Sequence, residues 1–110
     1  MVARNDSEME ITEEEFKDII NNGHKLVIVD FFAEWCMPCL MLAPVIDELA
    51  DKIKDVKFVK INVDDNQALA SKYNVSSIPC LIVFKGGEEV DRLIGMQESD
   101  TIEEKIKGLL

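Results

Sequence analysis

Residues Leu26–Phe32 constrain the fold of this chain more than any other segment. All but one of these side chains are apolar, and most are β-branched or aromatic. Such a run is typical of a strand that is buried on both faces, because a strand with one wet face alternates between apolar and polar residues. The segment therefore predicts an α/β fold in which helices cover both sides of a sheet.

The following segments complete a strand–helix–strand unit. A helix is predicted over residues 36–53, where apolar residues recur at helical spacing, and a second strand over residues 56–63. Strands connected through a helix in this way lie parallel in one sheet. Pro44 falls inside the helix and is expected to kink it, because proline has no N–H to donate.

Shorter elements surround this unit. A weak strand is predicted over residues 8–11, and Thr12 with Glu15 has the spacing of a capping box for a helix that stops at Gly23. A short helix over 66–73 and a strand over 80–84 follow. Gly86-Gly87 then predicts a hairpin into Glu88–Ile94, and a last helix begins near residue 100.

Length and charge exclude several classes of protein. A chain of 110 residues suits one domain, predicted over 8–110 after a flexible polar tail of residues 1–7. The net charge of −10 argues against nucleic-acid binding, which needs clustered Lys and Arg. No apolar run is long enough to span a membrane, and no signal peptide is visible. Three cysteines, an odd number, favour a reducing, cytoplasmic location.

Cys36 and Cys39 carry the clearest chemical signal. Two thiols separated by two residues at the start of a helix can form a disulfide with little movement of the chain. The helix N-terminus presents free N–H groups and a positive potential, which favour the nucleophilic thiolate. We expect Cys36, at the very end of the helix, to be the more exposed sulfur, and Cys39, one turn in, to act second.

Other uses of this cysteine pair are less favoured. A zinc site would need two more ligands, and the chain offers only Cys80 and His24, neither in a metal-binding motif. A purely structural disulfide does not suit a reducing compartment. We therefore expect no metal, and dithiol-disulfide exchange through the two cysteines needs no bound cofactor.

Several separated motifs resemble those of the thioredoxin family. The segment VDFFAEWCMPC, residues 29–39, resembles its active site, and Ser77-Ile78-Pro79, Lys85-Gly86-Gly87-Glu88 and Gly95 resemble its later landmarks. The resemblance covers residues 8–110. It implies a thioredoxin fold, with a mixed central β-sheet flanked by helices on both faces. It also implies a thiol-disulfide oxidoreductase that reduces protein disulfides and is itself restored by a thioredoxin reductase.

The resemblance implies a role for each residue of the reaction centre. Cys36 matches the nucleophile, Cys39 the resolving cysteine, and Asp30 a buried carboxylate that assists proton transfer to and from Cys39. Lys60 matches the partner of that carboxylate. On the sequence alone, Asp30 is anomalous because a lone buried charge is costly; burial raises a carboxyl pKa, so that it could act as a general base. The alternative is that Asp30 is merely tolerated at a wetter strand end.

The resemblance also implies a flat apolar surface on which substrates dock. Pro79 matches a cis-proline that faces the disulfide, and the backbone of Ile78 matches the part that pairs with an extended substrate segment. The residues implied in substrate binding are Trp35, Met37, Pro38, Ile78, Pro79, Gly95 and Met96.

Two residues depart from the family pattern. Met37 stands where glycine is usual, between the cysteines, and leaves the reduction potential open. Cys80 stands where threonine is common; it is either a small buried residue or a third thiol near the pair. Two other functions therefore stay open: a disulfide oxidase or isomerase of the same fold, and a non-catalytic binding module.

Overall fold

A computed structural model describes residues 9–110 of the chain. Within these residues, four strands form one sheet in the order β2-β1-β3-β4. The strands are β1 (Leu26–Phe32), β2 (Val56–Asn62), β3 (Cys80–Lys85) and β4 (Glu88–Ile94). The helices are α1 (Glu13–Ile20), α2 (Met37–Lys52), α3 (Gln67–Lys72) and α4 (Ser99–Leu109). No helix in this described part of the chain is both long and apolar enough to cross a membrane.

The central position of β1 agrees with its apolar sequence. It pairs in parallel with β2 and antiparallel with β3, which continues through a hairpin into β4. Gly86 and Gly87, at the hairpin turn, both have positive φ angles, as a tight two-residue turn between twisted strands requires. The sheet is therefore mixed, as predicted.

Helices cover both faces of the sheet. Because side chains alternate along a strand, Leu26 and Ile28 face α2 and α4, whereas Val27 and Val29 face α1 and α3. The second face includes an aromatic trio, Phe16, Tyr73 and Phe84, whose ring centroids lie 5.3–5.7 Å apart in edge-to-face geometry.

The N-terminal segment differs from the prediction. In place of a strand over 8–11, the described residues have a helical Met9 followed by an isolated parallel bridge between Glu10 and Lys60. The predicted capping box is present: Thr12 Oγ1 accepts from the Glu15 N–H at 3.2 Å and Glu15 Oε1 accepts from the Thr12 N–H at 3.0 Å. Because Met9 is helical and α1 is capped at Thr12, only Glu10 and Ile11 lie between them, which is too few residues for a strand. The predicted tail, residues 1–7, lies outside the described residues.

Most other boundaries agree with the prediction to within about two residues. Helix α1 ends at Ile20, earlier than the predicted stop at Gly23, with Asn21 as its C-cap. Helix α2 continues past Pro44 as one element of 16 residues. At its far end α2 is joined to α4, where Glu103 accepts hydrogen bonds of 2.9 Å from both Lys52 and Lys107.

Candidate active site

Cys36 and Cys39 lie where β1 ends and α2 begins. They form a disulfide, and their Cα atoms are 5.2 Å apart. Both pack in a small cluster with Phe32 and Ala33, the last residue of β1 and the one after it. The buried strand thus fixes the position of the pair relative to the sheet.

The helix N-terminus stabilises negative charge on Cys36. Cys36 is the N-cap residue of α2, and its Sγ accepts a hydrogen bond from the Cys39 N–H at 3.2 Å. The first turn of α2 contains no acidic residue, so no carboxylate on the helix opposes the positive end of its dipole. Backbone N–H groups aimed at sulfur favour the thiolate, which is the form that attacks disulfides.

The two cysteines are almost equally buried in this disulfide state. Cys36 is 5% exposed and Cys39 is 3% exposed. The predicted contrast in exposure is therefore small here, and the order in which the two sulfurs act remains a prediction.

Asp30 and Lys60 lie side by side on the sheet face that packs against α2, because side chains alternate along each strand. They are direct neighbours in the parallel register of β1 and β2, and each is at most 2% exposed. The Lys60 ammonium lies 4.8 Å from the ring centroid of Phe32, which packs against both cysteines. The structure therefore excludes a solvent-exposed strand end for Asp30. It places a buried acidic residue, Asp30, and a buried basic residue, Lys60, on the sheet face that packs against α2.

The loop before β3 faces the disulfide. The Ile78–Pro79 peptide bond is cis, as expected, and the Ile78 carbonyl oxygen lies 4.0 Å from Cys36 Sγ. Ile78 also packs against the cysteine cluster. The Gly95 N–H donates to the Pro79 carbonyl at 2.8 Å, which holds the end of β4 next to this loop.

The outer part of the site is apolar and accessible. Trp35, Met37, Pro38 and Met96 are exposed, Ile78 and Gly95 are half-buried, and Pro79 is buried. The Trp35 indole N–H donates to Asp64 Oδ2 at 2.9 Å. Sequence reasoning did not identify Asp64, and no local signal could have done so because 29 residues separate the pair.

Cys80 lies on the opposite face of the sheet from Asp30 and Lys60. It is buried, pairs with Phe31 across β1 and β3, and packs with the α1/α3 core instead of the Cys36–Cys39 cluster. Burial raises the pKa of the Cys80 thiol, so the neutral form is favoured. These observations support the interpretation of Cys80 as a small core residue.

Comparison with known proteins gives a consistent result. The family model "Thioredoxin" matches residues 7–108. A thioredoxin from Chlamydia caviae is 48% identical over 92 residues, covering 84% of this chain and 88% of the relative. Thioredoxin 1 from Nostoc sp. is 40% identical over 99 residues, covering 89% and 92%.

Solved structures resemble the whole described fold. A mutant thioredoxin from Halobacterium salinarum superposes with a TM-score of 0.86 at 38% identity, covering 92% of this chain and 88% of the other. A thioredoxin from Plasmodium falciparum has a TM-score of 0.83 at 37% identity, covering 90% and 96%. The sequence and structure comparisons therefore agree.

Proposed function

This chain belongs to the thioredoxin family and is a thiol-disulfide oxidoreductase that reduces protein disulfides, and we propose that Cys36 is its nucleophile and Cys39 its resolving cysteine. The observation that carries this assignment is the hydrogen bond from the Cys39 N–H to Cys36 Sγ at the start of α2. It stabilises a thiolate at Cys36 specifically, because Cys36 is the N-cap residue.

The reaction proceeds in two exchanges. The Cys36 thiolate attacks one sulfur of the substrate disulfide, forming a mixed disulfide and releasing the other substrate sulfur as a thiolate. The Cys39 thiolate then attacks the Cys36 sulfur and releases the second substrate sulfur. The substrate gains two electrons and two protons, and the protein keeps the Cys36–Cys39 disulfide. A reductase returns this disulfide to the dithiol.

Asp30 is proposed to accept the Cys39 proton before the second exchange, with Lys60 as its partner. Its support is its burial, its register with Lys60 and its position on the strand face that packs against the helix that carries Cys39. An Asp30→Asn variant keeps the shape but removes the base. We expect release of the substrate from the mixed disulfide to slow by about 100-fold while the first attack is little changed. Single-turnover kinetics separate the two steps, and an equal effect on both would contradict the assignment.

The docking surface remains the one predicted from the sequence. An extended substrate segment pairs with the backbone at Ile78, beside Cys36. Its apolar border is formed by Trp35, Met37, Pro38, Pro79, Gly95 and Met96. The exposure of the Trp, Pro38 and both Met side chains next to a disulfide supports this role.

The partners are disulfide-containing proteins and a reductase, which we propose to be a thioredoxin reductase. A cytoplasmic location is also proposed, because a third cysteine that stays a thiol is typical of a reducing compartment. We further propose that residues 8–110 act as one domain.

Trapping tests the order of the two cysteines. In a Cys80→Ala background, Cys39→Ser should hold substrate proteins from a lysate on Cys36 as mixed disulfides that dithiothreitol releases. The matched variant Cys36→Ser, in the same background, should trap far less, because Cys39 is not at the helix end. Equal trapping by both variants would refute the assignment.

Met37, exposed between the two cysteines, gives one reason to test the alternative of an oxidase or isomerase. The reduction potential of the Cys36–Cys39 couple separates the two. Oxidases and isomerases lie at about −120 to −180 mV, whereas a general reductant lies well below them.

A further inference from the structure

The first two turns of α2 are apolar on the side that faces solvent as well as on the side that faces the core. The core side packs through Leu42 and Ile46. The solvent side carries four apolar residues at positions i, i+3, i+4 and i+7, here called the α2 strip: Met37, Leu40, Met41 and Pro44. The side chains of Met37, Leu40 and Met41 are 64%, 50% and 59% exposed.

This spacing is the one by which a helix buries an apolar face. In the last two turns of α2 the same side becomes charged, with Glu48 and Asp51 exposed. The apolar character is therefore confined to the part of the helix nearest the disulfide. A contiguous exposed apolar surface of this kind marks a site of interaction.

The α2 strip is continuous with the surface at which disulfides react. It begins at Met37, directly after Cys36, so a protein whose sulfur meets Cys36 Sγ must cover its start. Leu40 and Met41 lie about 4.5 and 6 Å farther along the helix axis. Both side chains are exposed, whereas Val63 and Ile78 are partly buried against the cysteine cluster. A short extended segment bound at Ile78 therefore has no need to touch Leu40 or Met41, whereas a folded protein is broad enough to do so.

Charge around the α2 strip indicates the border of its partner. Glu34 and Glu48 are exposed before and after it, on a chain with a net charge of −10. A partner with Lys or Arg around an apolar centre would complement this distribution and approach faster at low salt.

We propose that the α2 strip is a docking surface for folded partner proteins, which present an apolar patch bordered by Lys and Arg beside their reactive disulfide. This inference rests on the proposed function, since it assumes that Cys36 receives the partner's sulfur. It adds Leu40 and Met41 to the residues that select the partner.

The test compares Leu40→Gln, Met41→Gln and the double variant with wild type. Three disulfides serve as probes: bis(2-hydroxyethyl) disulfide, which is too small to reach the α2 strip, insulin, and pancreatic trypsin inhibitor, a small basic folded protein with an exposed disulfide. Each substitution should lower kcat/KM for both protein probes by about fivefold, equivalent to about 1 kcal/mol, and leave the small disulfide within about twofold. The basic probe should also react more slowly as salt is raised, more steeply than insulin.

Val90→Thr is the matched control. Val90 is also an exposed apolar residue, but it lies in β4 four residues before Ile94, about 13 Å along the strand from the end that adjoins the site. This variant should leave all three rates unchanged. Equal losses of kcat/KM for the small and the protein disulfides, or no loss for the protein disulfides, would overturn the inference. If the rate for the basic probe did not depend on salt, the proposal that Lys and Arg border the partner's apolar patch would be wrong. Failure of wild type to reduce even the small disulfide would instead refute the proposed function.

Discussion

Leu40 and Leu42 offer a controlled test of how α2 is held in place. They are two residues apart in one helix, and both are leucine, but Leu42 is 0% exposed and Leu40 is 50% exposed. Leu42 packs in the core between the sheet and α4, whereas Leu40 faces solvent. Replacing each by alanine removes the same atoms from opposite environments.

The expected losses of stability differ by several-fold. Leu42→Ala removes buried methyl groups and leaves a cavity, which costs about 2–5 kcal/mol. We expect about 3 kcal/mol, which is a large part of the roughly 5–15 kcal/mol that holds a domain of this size together. The Tm should fall by at least about 10 °C. Leu40→Ala creates no cavity and should change the free energy of unfolding by at most about 0.5 kcal/mol.

Urea denaturation of the oxidised proteins, followed by far-UV circular dichroism, measures both values. The slope against urea should stay the same, so that the midpoint alone reports the change. If the two variants lost stability to within about 1 kcal/mol of each other, the description of α2 as a helix with one core face and one solvent face would be wrong.

Two further predictions concern ionisable groups away from the disulfide. Burial raises the pKa of the Cys80 thiol, so iodoacetamide should modify Cys36 of the reduced native protein first and Cys80 only after unfolding. Peptide mass mapping measures the labelling of each cysteine, and equal labelling of the two in the native protein would contradict this prediction. Hydrogen bonds from Lys107 and then Lys52 lower the pKa of Glu103 below its ordinary 4.5. The resulting stability is complete above the unfolded pKa and is lost as pH falls through the folded one. Between pH 6 and about pH 3, the free energy of unfolding should therefore fall more for wild type than for Glu103→Gln. Urea titrations at both pH values measure it, and equal falls for the two proteins would contradict the prediction.

Predictions that rest on local sequence signals agree best with the structure. The apolar composition of β1 and the glycine pair of the hairpin both correspond to what the structure contains. The pairing of Asp30 with Lys60 follows from two parallel strands that start in register, Leu26 opposite Val56. In these cases the information lies within a few residues or within one strand–helix–strand unit.

Features that depend on long-range packing could not be predicted from the sequence. The helical spacing of Leu42, Ile46 and Leu49 did indicate the core face of α2, but it could not show how far the packing of other elements leaves Leu40 and Met41 exposed. The face occupied by Cys80 depends on the register between β3 and β1. The hydrogen bond between Trp35 and Asp64 depends on how the loop after β2 folds back.

The distribution of aromatic residues gives the molecule two separate spectroscopic reporters. Its only tryptophan, Trp35, directly precedes Cys36 of the disulfide. Its only tyrosine, Tyr73, belongs to the aromatic trio packed on the sheet face that α1 and α3 cover. Indole fluorescence, excited at wavelengths where tyrosine does not absorb, therefore follows events at the reaction centre, and the ring-proton NMR signals of the single tyrosine follow the α1/α3 face, without any added label. When the protein is heated, superimposable curves from the two signals would mean that both sides of the sheet melt as one cooperative unit.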